Sequence, residues 1–185
     1  TFVDVGAGDG VLYSNTLYFE KLGWGGLCVE ANPGEYGALK GNRSCFLENV
    51  AVTTLPGLRP FVVSPIKGWS GLVDTYKRLD AAEQHRADEA GSAEVIMVPT
   101  APLSDLLAKY ELREVDYLSI DVEGGELQVL YSIDWSAVRV KVITIEANDN
   151  EPAIRAFLLA HGFSLWGEAC VDEVYVSRDL MGVTV

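Results

Sequence analysis

A short apolar strand at residues 2–5 leads directly into three glycines spaced two apart, Gly6, Gly8 and Gly10. Glycines at a strand-to-helix turn let the main chain turn tightly and let a ligand approach the backbone. The dinucleotide fingerprint GxGxxG requires a glycine where this chain has Val11. The turn therefore predicts an α/β fold that binds a ligand at this point. It disfavours a Rossmann-type NAD-binding oxidoreductase, which stays open as a second enzyme hypothesis.

Short apolar runs alternate with amphipathic segments along the rest of the chain. This rhythm predicts a mostly parallel central sheet with helices on both faces. The first helix is expected at about 14–22, with Leu17, Tyr18 and Leu22 facing the core. The further strands are expected at 26–30, 45–52, 116–121 and 141–146, and 163–166 with 173–177 as a terminal antiparallel pair.

The composition indicates one domain over residues 1–185, because 49% of the residues are hydrophobic and no composition shift marks a boundary. Residues 59–100 interrupt the regular alternation, and we interpret them as an insertion with strands at 59–64 and 94–98 and a polar helix at 72–90. Because a strand opens the chain at Thr1, we expect that N-terminal residues are missing.

The formal net charge of −13 disfavours nucleic-acid binding, although a basic patch around Lys67, Lys77 and Arg78 stays open. No apolar run reaches the roughly 20 residues of a membrane-spanning helix. Cys28 and Cys45 lie in apolar runs, and the three cysteines have no CxxC spacing. They predict buried free thiols and a reduced, cytoplasmic setting. The sequence does not predict an oligomeric state.

Acidic side chains end three of the predicted strands. Glu30 follows the glycines by about 20 residues, where a carboxylate accepts hydrogen bonds from vicinal ribose hydroxyls. Asp121 and Glu123 end a strand that should neighbour the first one, and they are the candidates for a catalytic base. His161 and His85 are expected to be a helix-capping surface residue and a solvated residue, respectively.

Two other roles for these acids stay open. Asp121, Glu146 and Asn148 offer oxygen ligands from neighbouring strand ends, which suit a divalent metal such as Mg²⁺ or Ca²⁺. Alternatively, Glu123 and Glu126 have a structural role, and Glu123 accepts the amides of a turn formed at the Gly124–Gly125 pair.

Four stretches together resemble the FkbM-type methyltransferases, a group of class I S-adenosylmethionine-dependent enzymes. They are FVDVGAGDG with the following SNTLYFEKLGW, then CVEANP, ENVAV and VDYLSIDVEGGELQVL. The resemblance covers most of residues 2–131, but residues 59–94 depart from the family pattern. It implies a Rossmann-like methyltransferase fold, S-adenosyl-L-methionine as cofactor, and O-methylation of a sugar, glycan or other small hydroxylated acceptor.

The same resemblance implies roles for individual residues. The glycine turn, with Ala7, would carry the methionine part of the cofactor, and Asp4 would help hold its amino group. Ser14 and Asn15 would hold its carboxylate at a helix start. Ala31 and Val50 would also bind the cofactor. Asn49 would contact the adenine edge, or alternatively is an ordinary turn residue. Asp121 would lie near the methyl group. A non-catalytic interaction module that keeps this fold is the remaining alternative.

Overall fold

The computed structural model describes residues 1–76, 92–146 and 151–182. The strands are β1 Phe2–Val5, β2 Gly26–Val29, β3 Phe46–Glu48, β4 Ala51–Val52, β5 Gly57–Val63, β6 Gly71–Leu72, β7 Glu94–Ala101, β8 Glu114–Ile120, β9 Arg139–Glu146, β10 Phe163–Ala169 and β11 Asp172–Ser177. The α-helices in these ranges are α1 Leu17–Lys21, α2 Pro33–Asn42, α3 Leu103–Lys109, α4 Glu126–Tyr131 and α5 Glu151–Ala160, and a 3₁₀ turn spans Arg178–Met181.

Seven strands form the central sheet, in the order β3-β2-β1-β8-β9-β11-β10. Neighbouring strands are parallel from β3 to β9, and β11 is antiparallel to both β9 and β10. This arrangement confirms the predicted α/β class with a terminal antiparallel strand. It also places the carboxyl ends of β1, β2 and β8 side by side, where ligands of open α/β sheets bind.

The central strands are apolar because the sheet is covered on both faces. All four residues of β1 are buried. Val3 and Val5 face a core that includes residues of α3, α4 and α5, whereas Phe2 faces the other side and clusters with Leu39 of α2. No helix in the described ranges is long and apolar enough to cross a membrane.

The predicted strand at 45–52 is wrong as one element, because it divides between two sheets. β3 pairs with β2, whereas β4 pairs with β7 in a second sheet of order β4-β7-β5-β6. Asn49 turns the chain between them: its Nδ2 donates to the carbonyl oxygens of Glu30 at 2.8 Å and Ala31 at 3.2 Å. Leu72 belongs to β6, so the predicted helix at 72–90 does not begin there, and residues 77–91 lie outside the described residues.

Helix α1 is shorter than predicted and presents a different face to the core. Tyr18 and Leu22 are exposed, which contradicts their predicted orientation. Thr16 is buried and donates a 2.6 Å hydrogen bond to Asp4, and Phe19 packs against Tyr117 with ring centroids 5.1 Å apart. The bond to Asp4 fixes the orientation of the helix start, so the side of Thr16 and Phe19 turns inward.

Candidate active site

A cleft of about 650 Å³, including the solvent at its mouth, lies at the carboxyl ends of β1, β2 and β8. The central sheet and the segment after β3 provide one wall, with Val5, Gly6, Gly8, Glu30, Ala31 and Val50. The second sheet and its loops provide the opposite wall, which we call the roof, with Phe61, Ser70, Leu72 and Thr75. Asp121 also lines the cleft, so two of the predicted acids face one space.

The three glycines of the turn have positive φ angles of 92° at Gly6, 56° at Gly8 and 78° at Gly10. A Cβ on Gly6 would lie 1.7 Å from the carbonyl oxygen of Asp121, so only glycine fits. A Cβ on Gly10 would lie 2.5 Å from a methyl group of Leu39. A Cβ on Gly8 would have no neighbour within 4 Å. Gly8 therefore keeps open a surface that lines the cleft, whereas the other two glycines allow close packing.

Glu30 is held between two main-chain amides. Its Oε2 accepts from the nitrogen of Gly8 at 2.8 Å, and its Oε1 accepts from the nitrogen of Asn32 at 2.7 Å. Burial raises the pKa of this carboxyl to about 7, although the two amides act in the opposite direction. A carboxylate has about four acceptor sites, so each oxygen can accept a further hydrogen bond from a ligand in the cleft.

Asp4 lies beneath the glycine turn, where its carboxylate accepts from Thr16. Burial raises its pKa, while the hydrogen bond from Thr16 and the charge of Arg43 lower it. Asp4 is not part of the described lining of the cleft, and the same holds for Ala7, Gly10, Ser14, Asn15 and Asn49. Asn15 instead donates to Ser119 at 3.1 Å. The predicted cofactor contacts of these six residues stay predictions.

Arg43 is buried beside the glycine turn, and sequence reasoning missed it. Its guanidinium donates to the carbonyl oxygen of Gly10 at 3.3 Å, to Ser14 at 3.1 Å and to Thr16 at 2.9 Å, and it pairs with Glu20. These contacts tie α2 to the segment between the glycines and α1. An arginine at a helix end gives no local signal of burial, because its partners come from other segments.

Three carboxylates converge beside the cleft. Asp121, Glu123 and Glu146 each place one oxygen within 4.8 Å of the others. Asp121 is fixed by the hydrogen bond from its main-chain nitrogen to the carbonyl oxygen of Val5 at 3.0 Å. Although part of Asp121 is open to solvent, loss of hydration and then the charges of Glu146 and Glu123 raise its pKa to about 8. Asn148, the third predicted metal ligand, lies outside the described residues.

Glu126 has the structural role that was predicted as an alternative for it and for Glu123. Its Oε1 accepts from the nitrogens of Val122 at 3.2 Å and Gly124 at 3.0 Å, and its side chain is buried. These two amides are thus bound by Glu126, and a structural role for Glu123 stays a prediction. Glu126 reaches back from the first turn of α4 and leaves Glu123 beside Asp121.

Lys67 connects the roof to the glycine turn. Its ammonium lies 3.1 Å from Oδ2 of Asp9, whose other oxygen accepts from the nitrogens of Val11 and Leu12. Lys77, Arg78 and His85 lie outside the described residues. His161 is exposed, and its Nδ1 lies 2.8 Å from the carbonyl oxygen of Phe157.

Comparisons with known proteins agree with this geometry. The family model described as methyltransferase FkbM domain matches residues 4–165. Methyltransferase sdnD from Sordaria araneosa is 39% identical over 92 residues, which cover 43% of this chain and 36% of that protein. The crystal structure of methyltransferase FkbM from Methylobacillus flagellatus KT is similar with a TM-score of 0.55 and 12% identity, over 95% of this chain and 43% of that chain. The chain thus spans less than half the length of either relative.

Proposed function

Because this chain belongs to the FkbM methyltransferase family, we propose that it binds S-adenosylmethionine and methylates an oxygen atom of a small hydroxylated acceptor such as a sugar. One observation supports this proposal most strongly. Three groups line the same cleft: Gly8, which has no side chain, the carboxylate of Glu30, which accepts two main-chain hydrogen bonds, and the carboxyl of Asp121, whose pKa is raised to about 8.

The residues of the cleft fit this cofactor. Glu30 has free acceptor sites for two ribose hydroxyls, and the absence of a side chain at Gly8 lets a ligand approach the main chain. Apolar side chains from Val29, Val50 and Val52 line the same cleft and suit the faces of an adenine ring. When bound, the cofactor supplies a methyl group on a positively charged sulfur.

Asp121 is the residue that we assign to the acceptor proton. A general base works best when its pKa lies near the working pH, and the pKa of about 8 meets that condition. The roof restricts the volume in which an acceptor can move, and such confinement favours the aligned geometry of a displacement reaction. Glu123 acts on Asp121 through its charge.

Calorimetric titration of the protein with S-adenosylmethionine, its demethylated product and NAD tests the cofactor. The proposal is supported if S-adenosylmethionine and its demethylated product bind and NAD does not. Binding of NAD alone contradicts the proposal and favours an oxidoreductase. If none of the three binds, the interaction-module hypothesis is favoured. Transfer of isotope-labelled methyl groups to a panel of sugars and other alcohols then tests the acceptor class. Because carboxylate oxygens suit Mg²⁺ and Ca²⁺, each assay is run with metal and with chelator.

A further inference from the structure

Two of the three cysteines lie together outside the proposed cleft. The sulfurs of Cys28 and Cys45 share a hydrogen bond at a separation of 3.5 Å. Cys28 belongs to β2 and pairs with Leu47 of β3, which lies two residues after Cys45. Side chains two apart on an extended segment point to the same face, so both thiols meet on the face covered by α2. The prediction of buried free thiols is confirmed for Cys28, whereas Cys45 is free but only partly buried; their proximity is new.

The two thiols differ in exposure and in acidity. Cys28 is fully buried, whereas Cys45 is partly exposed and therefore within reach of a small oxidant. The hydrogen bond with Cys28 lowers the pKa of Cys45, and the charge of Arg43 acts in the same direction, against burial and Glu20, which raise it. The hydrogen bond with Cys45 and burial both raise the pKa of Cys28. Cys45 is thus the sulfur of the pair that combines solvent access with a lowered pKa, the two properties that favour reaction with an oxidant.

We propose that Cys45 and Cys28 are a peroxide-oxidised thiol pair, in which Cys45 reacts first and Cys28 then closes a disulfide. The sulfurs must approach from 3.5 Å to about 2.05 Å. Cys28 lies in β2 and Cys45 directly precedes β3, the neighbouring strand, so the required movement is local.

The chemistry balances with hydrogen peroxide as the oxidant. The Cys45 thiolate attacks one peroxide oxygen, the O–O bond breaks, and the departing hydroxide takes a proton to become water. The Cys45 sulfenic acid is then attacked by the sulfur of Cys28, so that the S–S bond forms and the S–O bond breaks. The second hydroxide leaves as water with the proton of Cys28. Two thiols lose two electrons, and one peroxide yields two waters.

Closure of this bond acts on the segment that holds the glycine turn. Cys45 follows Ser44, whose nitrogen and hydroxyl both donate to Glu20 at 2.7 Å. Arg43, the preceding residue, pairs with the same Glu20 and donates to the carbonyl oxygen of Gly10. Movement of Cys45 therefore loosens these contacts, and residues 10–16 lose part of their protection from hydrogen exchange.

The test uses the reduced full chain, treated with an equimolar amount of hydrogen peroxide, then alkylated and mapped by mass spectrometry. We expect a peptide pair joined through Cys28 and Cys45, with a mass lower by two hydrogens, before Cys170 is modified. Cys170 is an exposed free thiol and serves as the internal reference. Oxidation of Cys170 first, or of Cys45 to sulfinic acid with Cys28 still free, would overturn the proposal.

Two variants identify the order of events. Cys28→Ser should stop the reaction at a sulfenic acid on Cys45, which dimedone captures. Cys45→Ser should leave Cys28 reduced at the same peroxide dose, and a sulfenic acid on Cys28 in this variant would contradict the assigned order. Circular dichroism shows whether each of the two variants is folded. If the buried Cys28→Ser change unfolds the chain, the wild type and Cys45→Ser still decide the question.

Discussion

The main-chain nitrogen of Gly8 donates a 2.8 Å hydrogen bond to Oε2 of Glu30, which joins the glycine turn to the end of the second strand. Two segments that are 22 residues apart in the chain thus meet at one carboxylate. A ligand that contacts this carboxylate would also lie against the turn, so we expect ligand binding and the conformation of the turn to depend on each other.

Comparison of Gly8→Ala with Gly23→Ala distinguishes an effect on ligand affinity from an effect on folding stability. Gly8 and Gly23 both have positive φ angles, and a Cβ on either one meets nothing within 4 Å. Alanine at either position should cost about 1–2 kcal/mol of unfolding free energy, because its Cβ disfavours left-handed backbone. Only Gly8→Ala should weaken binding of S-adenosylhomocysteine, by about tenfold, or about 1.4 kcal/mol. Equal affinities of the two variants in calorimetry would argue against ligand approach at Gly8.

Glu30→Ala should weaken cofactor binding by about 1.5–3 kcal/mol, the usual contribution of hydrogen bonds to a charged group. In the wild type, ribose hydroxyls favour the ionised form, so the carboxyl with a pKa of about 7 must lose its proton on binding. Affinity should therefore fall as the pH drops below about 7 and level off above it.

The probe for this pH dependence is methylthioadenosine, which keeps the ribose but has no amino acid group. Titrations from acid to alkaline pH give the affinity, and buffers with different ionisation enthalpies give the protons released. Glu30→Ala should abolish both effects. A wild-type affinity that stays constant across the neutral range would remove Glu30 from the ribose site.

Asp121→Asn should leave cofactor affinity nearly unchanged and lower turnover by about 100-fold or more, the usual contribution of a general base. For the wild type, the base form accumulates as the pH rises through about 8, so turnover should increase up to that pH and then level off. The turnover number is measured against pH with the best acceptor from the panel. If the asparagine variant retains wild-type turnover, Asp121 is not the base.

The rise in turnover number with pH should occur at lower pH in Glu123→Gln than in the wild type, because the charge of Glu123 helps raise the pKa of Asp121. Glu111 provides a matched control, since both glutamates have positive φ angles, 58° and 56°, and Glu111 is exposed outside the cleft lining. Glu111→Gln should leave the profile in place. Identical profiles for the two variants and the wild type would show that Glu123 does not act electrostatically on Asp121.

The sequence was informative where a local pattern determines a structure. The glycine turn and the buried strands β1, β2 and β8 depend on spacing and apolar character within a few residues. They suffice to predict the fold class and to place Glu30 and Asp121 at one edge of the sheet, and both line the cleft.

Contacts between distant segments could not be predicted in this way. Arg43 reaches Gly10 and Thr16 through the tertiary fold, and no pattern near residue 43 indicates these partners. Glu126 binds two amides of the turn after β8, and the spacing of the acidic residues does not indicate which of Glu123 and Glu126 does so. Tyr18 is exposed because the Thr16–Asp4 hydrogen bond sets the orientation of the helix, and the hydrophobic periodicity of the sequence does not indicate that bond.

The two walls of the cleft come from different sheets. Substitutions that change the width of the cleft can therefore be separated from substitutions that remove hydrogen bonds to Glu30. Phe61 and Leu72 line it from the second sheet, whereas the amides that hold Glu30 belong to the glycine turn and to the start of α2. Substitutions at Phe61 or Leu72 alter the width of the cleft without removing any hydrogen bond to Glu30. Under the proposed function, changes at these two positions are expected to alter acceptor preference while the hydrogen bonds to Glu30 are kept.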